Sequence, residues 1–255
     1  MNDLRLALRQ SRFEHRAFWR NPPAAFFTFI FPLMFLFLFN LLFGDETFLL
    51  AGREVRSSQF FVPAIAAFSI VSACFTNVAM SVTFARDQGV LKRIRGTPLP
   101  AWAFLFGRIA LAMWIAVLVV AIATAAGATL FGVAVPWAQM PVILLTLVIG
   151  GGALAALGLT MSAAVPNADA APAVVNGVVL PLLFISDVFI RLDRAPAWLL
   201  TLGDIFPIKH LSHALIAAYD PFPRGIQWGD LGVMAAWGVA GTLLAMRFFS
   251  WEPRR

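Results

Sequence analysis

Long uncharged stretches are the feature that most restricts the fold of this chain. No Asp, Glu, Lys or Arg occurs in residues 21–44, 57–85 or 109–168. A helix needs about 20 mainly apolar residues to cross the hydrocarbon core of a bilayer. Each stretch is at least that long, so the sequence predicts a membrane protein that crosses the bilayer several times with helices.

Composition supports this reading and excludes other classes of protein. Hydrophobic residues make up 60% of the chain and charged residues 13%, whereas soluble domains average about 45–50% and about 25%. Soluble enzymes, disordered regulators and collagen-like fibres are therefore excluded. A disulfide scaffold is excluded as well, because Cys74 is the one cysteine. The net charge of +6 gives no reason to expect nucleic acid as a partner, since membrane proteins collect Lys and Arg on their cytoplasmic side.

Six spans are predicted. The run 109–168 is too long for one helix, and Pro136 after Gly132 is expected to divide it. The spans then lie at 24–43, 60–84, 102–132, 140–164, 170–187 and 228–248. The predicted fold is all-α: one transmembrane domain over residues 1–255, with an amphipathic helix before the first span and a short external helical hairpin before the last.

Basic residues predict the orientation of the six spans. An even number of spans puts both termini on one side, and with that side inside, twelve Lys and Arg lie inside and six outside. We therefore predict a multi-pass protein of the cell membrane with both termini in the cytoplasm. Arg108, inside the third span, is left out of this count; snorkelling to the inner interface is the favoured prediction for it, and pairing with a cytosolic-side acid is the alternative. Asp230 and Arg247 at the ends of the sixth span could also snorkel toward an interface.

Residues 2–20 predict a helix with one basic face. Its arginines are three or four residues apart and so share a stripe: Arg5, Arg9, Arg12, Arg16 and Arg20. Two interpretations remain open. The helix lies on lipid headgroups, or it also contacts a cytosolic partner.

The loop after the second span carries the most informative pattern. It reads RDQGVLKRIRGTP from Arg86 to Pro98. Within it, Val90, Leu91 and Ile94 fall on one face of a short helix and basic residues take the rest. Such a helix suits docking into a groove on another protein, and an ordinary basic cytoplasmic loop is the alternative. The predicted docking residues are Arg86, Asp87, Gly89, Leu91, Lys92, Arg93, Ile94 and Arg95.

The outer segment 188–227 is too poor in apolar residues for another pair of spans. It is predicted to form short re-entrant or interfacial helices. His210 and His213 lie within it three residues apart, but two histidines with no obvious third ligand make an incomplete zinc site, so no metal is expected.

Phenylalanines in the second span suggest a route for substrate. Phe61, Phe68 and Phe75 are seven residues apart and share a face. They are interpreted as a possible aromatic wall for a lipophilic substrate, with simple packing bulk as the alternative.

These features together resemble the permeases of the ABC transporter type 2 family. The loop from Arg86 is similar to that family's Arg-Glu-x-Gly-Thr-Leu-Lys/Glu-Arg-Leu-x-x-Thr-Pro stretch, with Asp87 in place of Glu and Val90 in place of Thr. The segments PAWL from Pro196 and PIKH from Pro207 are similar to its Met-Pro-x-Trp-Leu and Asn-Pro-Leu-Thr-His patterns, with Phe206 where Asn is common. The resemblance covers essentially the whole chain.

The resemblance implies a half-transporter of the small drug, polysaccharide and lipo-oligosaccharide exporter type. Two permease chains, identical or homologous, would pair in the membrane, and each would dock a cytosolic ATP-binding subunit through the coupling helix at 86–96, with helix 2–20 beside it. An amphiphilic substrate would pass outward between them. ATP and Mg²⁺ would bind the partner subunit and no cofactor this chain.

Rival classes have less support in the residues. Gly150-Gly151-Gly152 lacks the following Lys-Ser/Thr of a phosphate-binding loop, so ATP hydrolysis is expected on another chain and this one is not predicted to be an enzyme. No Gly-x-Ser-x-Gly turn supports an intramembrane hydrolase. An ATP-independent secondary carrier or channel is the alternative, opposed by the near absence of acids within the spans.

Overall fold

The computed structural model describes residues 3–44, 46–50, 53–97, 99–189, 195–222 and 225–248. Some residues used in the predictions above lie outside these ranges: Asn2, Pro98, residues 190–194, residues 223–224, Arg254 and Arg255. Helices dominate the described residues, and five of them are long and apolar enough to cross a membrane. The chain is therefore an all-α, polytopic membrane protein.

The elements follow one another along the chain in the order of the predicted spans. The helices are α1 (Asp3–Trp19), α2 (Pro22–Phe43), α3 (Ser58–Ile70), α4 (Asn77–Asp87), α5 (Val90–Arg95), α6 (Ala101–Phe131), α7 (Met140–Ala164), α8 (Ala171–Phe184), α9 (Ala197–Ile205), α10 (Pro207–Ala218) and α11 (Trp228–Phe248). A π-helical segment, Val71–Thr76, joins α3 to α4, and a 3₁₀ turn, Trp137–Gln139, precedes α7.

Five of the six predicted spans are matched by helices of membrane length. They are α2, the continuous run α3–α4, α6, α7 and α11. The predicted break of the long run is confirmed, since α6 ends at Phe131 and Gly132 caps it in the left-handed region, with φ of 65°. The fifth predicted span, 170–187, contains α8, which has only 14 residues. The count of six crossings therefore stays a prediction.

The second span forms the centre of the molecule. Of the residues in its apolar window 78% are buried, against 17% in the first span. Its π-helical segment packs on α7, where a Cβ at Gly158 would lie 2.7 Å from the carbonyl oxygen of Phe75. Small residues let helix backbones approach in this way within a membrane.

A small antiparallel hairpin follows the first span. Its strands are β1 (Thr47–Leu50) and β2 (Arg53–Arg56), in register from Thr47 opposite Arg56 to Leu50 opposite Arg53. The predicted spans leave residues 44–59 without an assigned element. Four-residue strands give too short a pattern to be recognised from sequence beside strong helical spans.

The segment before the last span forms two short helices, α9 and α10, as a hairpin. Their burial differs. In α10, Leu211 and Leu215 are fully buried and the helix packs on α3, α7 and α11, whereas Trp198 of α9 is exposed. The hairpin is thus anchored by α10 in the helical core.

Candidate docking site and the residues around it

The loop after α4 is built around two glycines and a short helix. Gly89 adopts a left-handed conformation, with φ of 69°, immediately before α5, which glycine tolerates at no steric cost. In α5, Leu91 is buried while Lys92 and Arg93 are exposed. The pattern of one packed apolar side and one solvated basic side agrees with the periodicity of the sequence. Arg95 lies in the helix, but its side chain is outside the described part of the structure.

Arg86 does not face outward, contrary to the expectation that it contacts a partner. Its side chain is 2% exposed, and its guanidinium donates to the carbonyl oxygens of Ser162 at 2.7 Å, Val165 and Pro166 at 3.4 Å. These carbonyls lie at the carboxyl end of α7, where a helix leaves carbonyl groups without backbone partners and favours a cation. Arg86 therefore fastens α4 to the end of α7.

Asp87 makes a second link to the same region. Its exposed carboxylate accepts a hydrogen bond from the backbone N–H of Ala168, with Oδ2 3.2 Å from the nitrogen. Residue 168 lies in the connection between α7 and α8. Two neighbouring residues thus hold α4 in this region. Arg86 does so from inside the protein and Asp87 from its surface.

The amino-terminal helix α1 separates its arginines from its packed face. Arg5, Arg9, Arg12 and Arg16 are all exposed. On the opposite face Ala7, Glu14 and Phe18 are buried, and α1 packs along α6. A Cβ at Gly107 would lie 3.2 Å from the backbone nitrogen of Ser11, so the two helices are in close contact.

Arg108 pairs with Glu14, and the prediction that it snorkels to the interface is wrong. Arg108 Nε lies 3.6 Å from Glu14 Oε1, and the two side chains are 16% and 10% exposed. Burial makes a partner necessary, because an uncompensated buried charge is costly. Sequence reasoning missed Glu14 although a signal existed: it lies on the face of α1 opposite the arginine stripe, where an acid has no reason to sit unless it is paired.

The proposed aromatic wall is packed within the chain. Phe61 stacks on Phe39 with centroids 5.4 Å apart, and Phe68 contacts Phe189 at 5.3 Å. Phe75 lies in the π-helical segment and, like the other two, is less than a tenth exposed. Phe61 and Phe68 thus join the second span to α2 and to the segment that follows α8. Their role as a substrate path stays a prediction.

Asp230 is also turned inward, against the prediction that it snorkels. Its two carboxylate oxygens lie 2.6 Å from Nδ1 of His210 and 2.6 Å from Nδ1 of His213. His210 Nε2 lies 2.8 Å from the carbonyl oxygen of Asp204. The cluster links α10 to the first turn of α11. No set of three or more His, Cys, Asp or Glu side chains that could hold a metal ion occurs among the residues the structure describes.

Comparison with known proteins supplies the context for this geometry. A family model described as ABC-2 type transporter matches residues 10–219. The probable multidrug ABC transporter permease YbhR of Escherichia coli (strain K12) is 27% identical over 154 residues, which are 60% of this chain and 41% of that protein. The putative transport permease ycf38 of Cyanophora paradoxa is 26% identical over 228 residues, which are 86% of this chain and 71% of that one. The chain thus covers less than half of the length of the bacterial relative.

Proposed function

The chain belongs to the ABC-2 type transporter family, and on that premise we propose that it is the membrane subunit of an ATP-driven exporter. In this proposal it pairs with a second permease chain and with separate cytosolic ATP-binding subunits. It moves an amphiphile, such as a drug or a lipid-linked glycan, out of the cytoplasm. The observation that carries the proposal is the exposed basic side of α5, held rigidly to the spans.

The docking surface consists of Lys92 and Arg93, which are exposed on α5. The opposite side of α5 is fixed by Leu91, which is fully buried in the hydrophobic core. Because α5 is anchored in this way, a force applied to it would move the attached spans and not α5 alone. We therefore propose that an acidic surface of the ATP-binding subunit contacts Lys92 and Arg93.

The route from α5 into the membrane runs through Arg86. Only the Gln88–Gly89 turn separates α5 from α4, and Arg86 in the last turn of α4 holds the carboxyl end of α7. Movement of α5 would therefore reach two long spans together, α4 with its π-helical segment and α7. Such coupled movement of packed helices is what alternating access between the two sides requires.

The orientation follows from the same proposal. The basic helix α1, the docking surface and the α7–α8 connection would face the cytoplasm, and the hairpins β1–β2 and α9–α10 would face outward. The name of the bacterial relative includes multidrug transport, which supports an amphiphilic substrate for this chain.

Co-purification with an ATP-binding partner tests the proposal. The tagged chain is isolated in nanodiscs from its native membrane, and bound protein and ATP hydrolysis are measured. The doubly reversed variant Lys92→Glu/Arg93→Glu should lose both, because its docking side becomes acidic. The matched control is Arg247→Glu, which reverses an exposed charge at the far end of α11 and should keep both.

The orientation of each variant is checked by protease access to a carboxy-terminal tag, since charge reversal can invert a membrane protein. Wild-type chain that purifies alone, and still moves solute without ATP, would overturn the proposal in favour of a carrier or channel.

A further inference from the structure

A polar cavity lies apart from the docking surface, between α1, α4 and α6. Its volume is about 240 Å³. Apolar walls come from Phe18 of α1 and Ile115 of α6, while Glu14, Arg108 and Asn77 bring charge and an amide. The cavity therefore combines apolar walls with a cation and an anion.

The ion pair in this cavity is incompletely satisfied. Arg108 Nε lies 3.6 Å from Glu14 Oε1, too far for a hydrogen bond, and it has no hydrogen-bond partner among the described residues. The same Glu14 oxygen already accepts from Nε2 of Gln10 at 2.8 Å. A guanidinium offers five donors and a carboxylate about four acceptor sites, so both groups have capacity for a ligand.

The depth of the cavity in the membrane follows from α1, which forms one wall. That helix exposes Phe13 and Trp19 beside its arginines. Aromatic and basic side chains on one surface helix are typical of the headgroup region of a bilayer. The cavity therefore lies where lipid headgroups lie, in the leaflet that carries α1.

We propose that this cavity binds the headgroup of a zwitterionic phospholipid with a primary ammonium, of the phosphoethanolamine type. The phosphate would accept from Arg108 and the ammonium would donate to Glu14. A purely anionic headgroup would meet the Glu14 carboxylate, and a purely cationic one would meet the guanidinium. A choline headgroup carries both charges but has no N–H to donate to Glu14. The ligand therefore needs both charges and a donor, which the ethanolamine headgroup has.

The test compares lipids whose headgroup ammonium exchanges one N–H donor for a methyl group at each step. Delipidated wild-type protein is titrated with phosphatidylethanolamine, its N-methyl and N,N-dimethyl derivatives and phosphatidylcholine of the same chains, and occupancy is read by native mass spectrometry. We expect the affinity to fall most at the last step, where the last N–H donor is lost, and to differ about tenfold between the ends of the series, the size of one charge-assisted hydrogen bond. Equal affinity along the series would overturn the proposal.

Two variants assign the preference to the cavity. Glu14→Gln keeps the shape and can still bond to Gln10, but its neutral amide is a weaker acceptor than a carboxylate, so it should clearly reduce the preference for ethanolamine over choline. The control Asp204→Asn on α9 removes the carboxylate of another ion pair, whose Oδ1 lies 2.6 Å from Nζ of Lys209 on α10, and should keep the preference. An unchanged preference in Glu14→Gln would place the lipid elsewhere.

Competition with soluble O-phosphoethanolamine distinguishes a site for a membrane lipid from a site for the free headgroup. At the depth inferred here the acyl chains contribute to binding, so the soluble compound should not displace the lipid at equal concentration. Displacement at equal concentration would overturn the assignment to a membrane lipid. None of these outcomes depends on the ATP-binding partner, so this inference can fail while the proposed transport function stands.

Discussion

The inward-facing charged residues of this protein are placed by contacts with other helices. Arg86 reaches carbonyl groups 76 and 79 positions further along the chain, and Asp230 reaches two histidines on another helix. In an apolar environment an unpaired charge or carbonyl is expensive. A contact with protein is therefore favoured wherever the fold brings a partner within reach.

Replacing Arg86 should destabilise the protein. Arg86→Leu removes the donor to three carbonyl groups at the end of α7, and buried acceptors left unpaired cost free energy. We expect the free energy of unfolding to fall by about 2–4 kcal/mol, measured by denaturation in detergent micelles. Arg247→Leu is the control, since that arginine is exposed. Equal losses in the two variants would show that the carbonyl contacts of Arg86 contribute nothing specific.

The pair Glu14–Arg108 should be energetically coupled. A double-mutant cycle with Glu14→Gln and Arg108→Gln is expected to give a coupling free energy of about 0.5–3 kcal/mol, because both side chains are mostly buried. The comparison cycle uses Lys209 and Asp204, whose carboxylate side chain is 59% exposed. Exposed pairs contribute about 0–1 kcal/mol. A larger coupling in the exposed pair than in the buried one would contradict this account.

At the scale of elements, the π-helical segment of the second span and the facing side of α7 fit closely together. A π-helical stretch inserts an extra residue into a helix and is often found at functional sites. Here it brings the backbone of Phe75 against Gly158. Because these two helices are in close contact, a movement of the second span would displace α7 directly.

A methyl group at Gly158 should disturb this contact. In Gly158→Ala the new Cβ would lie 2.7 Å from a backbone oxygen, so one helix must shift, at a cost of about 1–3 kcal/mol. Gly152→Ala is the matched control on the same helix, since a Cβ there meets nothing within 4 Å. Thermal unfolding of the two variants in detergent should show a clear loss for the first only. Unchanged stability in Gly158→Ala would mean that the helices are less closely packed.

At the scale of the whole molecule, the described ends of the spans sort into two groups. One group contains α1, α5 and the α7–α8 connection, and the other contains the hairpins β1–β2 and α9–α10. Each group contains a long-range hydrogen bond, between Asp87 and Ala168 in the first and between Gln59 and Tyr219 in the second. The exposed basic side of α5 and the basic face of α1 belong to the same group.

Cysteine labelling can assign these two groups to the two sides of the membrane. Cys74 is fully buried, so wild-type protein should react with a maleimide only after denaturation. In intact cells an impermeant maleimide should label Glu54→Cys on the hairpin β1–β2 and should spare Gln88→Cys beside α5. Both positions are exposed, so opening the cells should make both reactive. The reverse pattern would invert the proposed orientation.

The positions of the spans could be predicted from the sequence, because crossing a bilayer is a local requirement on about 20 consecutive residues. The spans at 140–164 and 228–248 coincide with α7 and α11. The amphipathic character of α5 could be predicted for the same reason, since its three apolar residues are close together in the chain. Burial of Leu91 follows that pattern, whereas the docking role of Lys92 and Arg93 stays a prediction.

Only the tertiary structure decided where the charges inside the molecule go. Arg86, Arg108 and Asp230 each have partners on other helices, and Arg108 and Glu14 lie almost a hundred positions apart. Periodicity describes which face of a helix a residue occupies but not which helix lies opposite that face. The sequence therefore determined that this chain is a helical membrane protein with a short basic, amphipathic helix after its second span. The packing of helices distant in sequence determined that Arg86 holds the loop in place and that Glu14 and Arg108 meet in one cavity, because a buried charge takes whichever partner the fold provides.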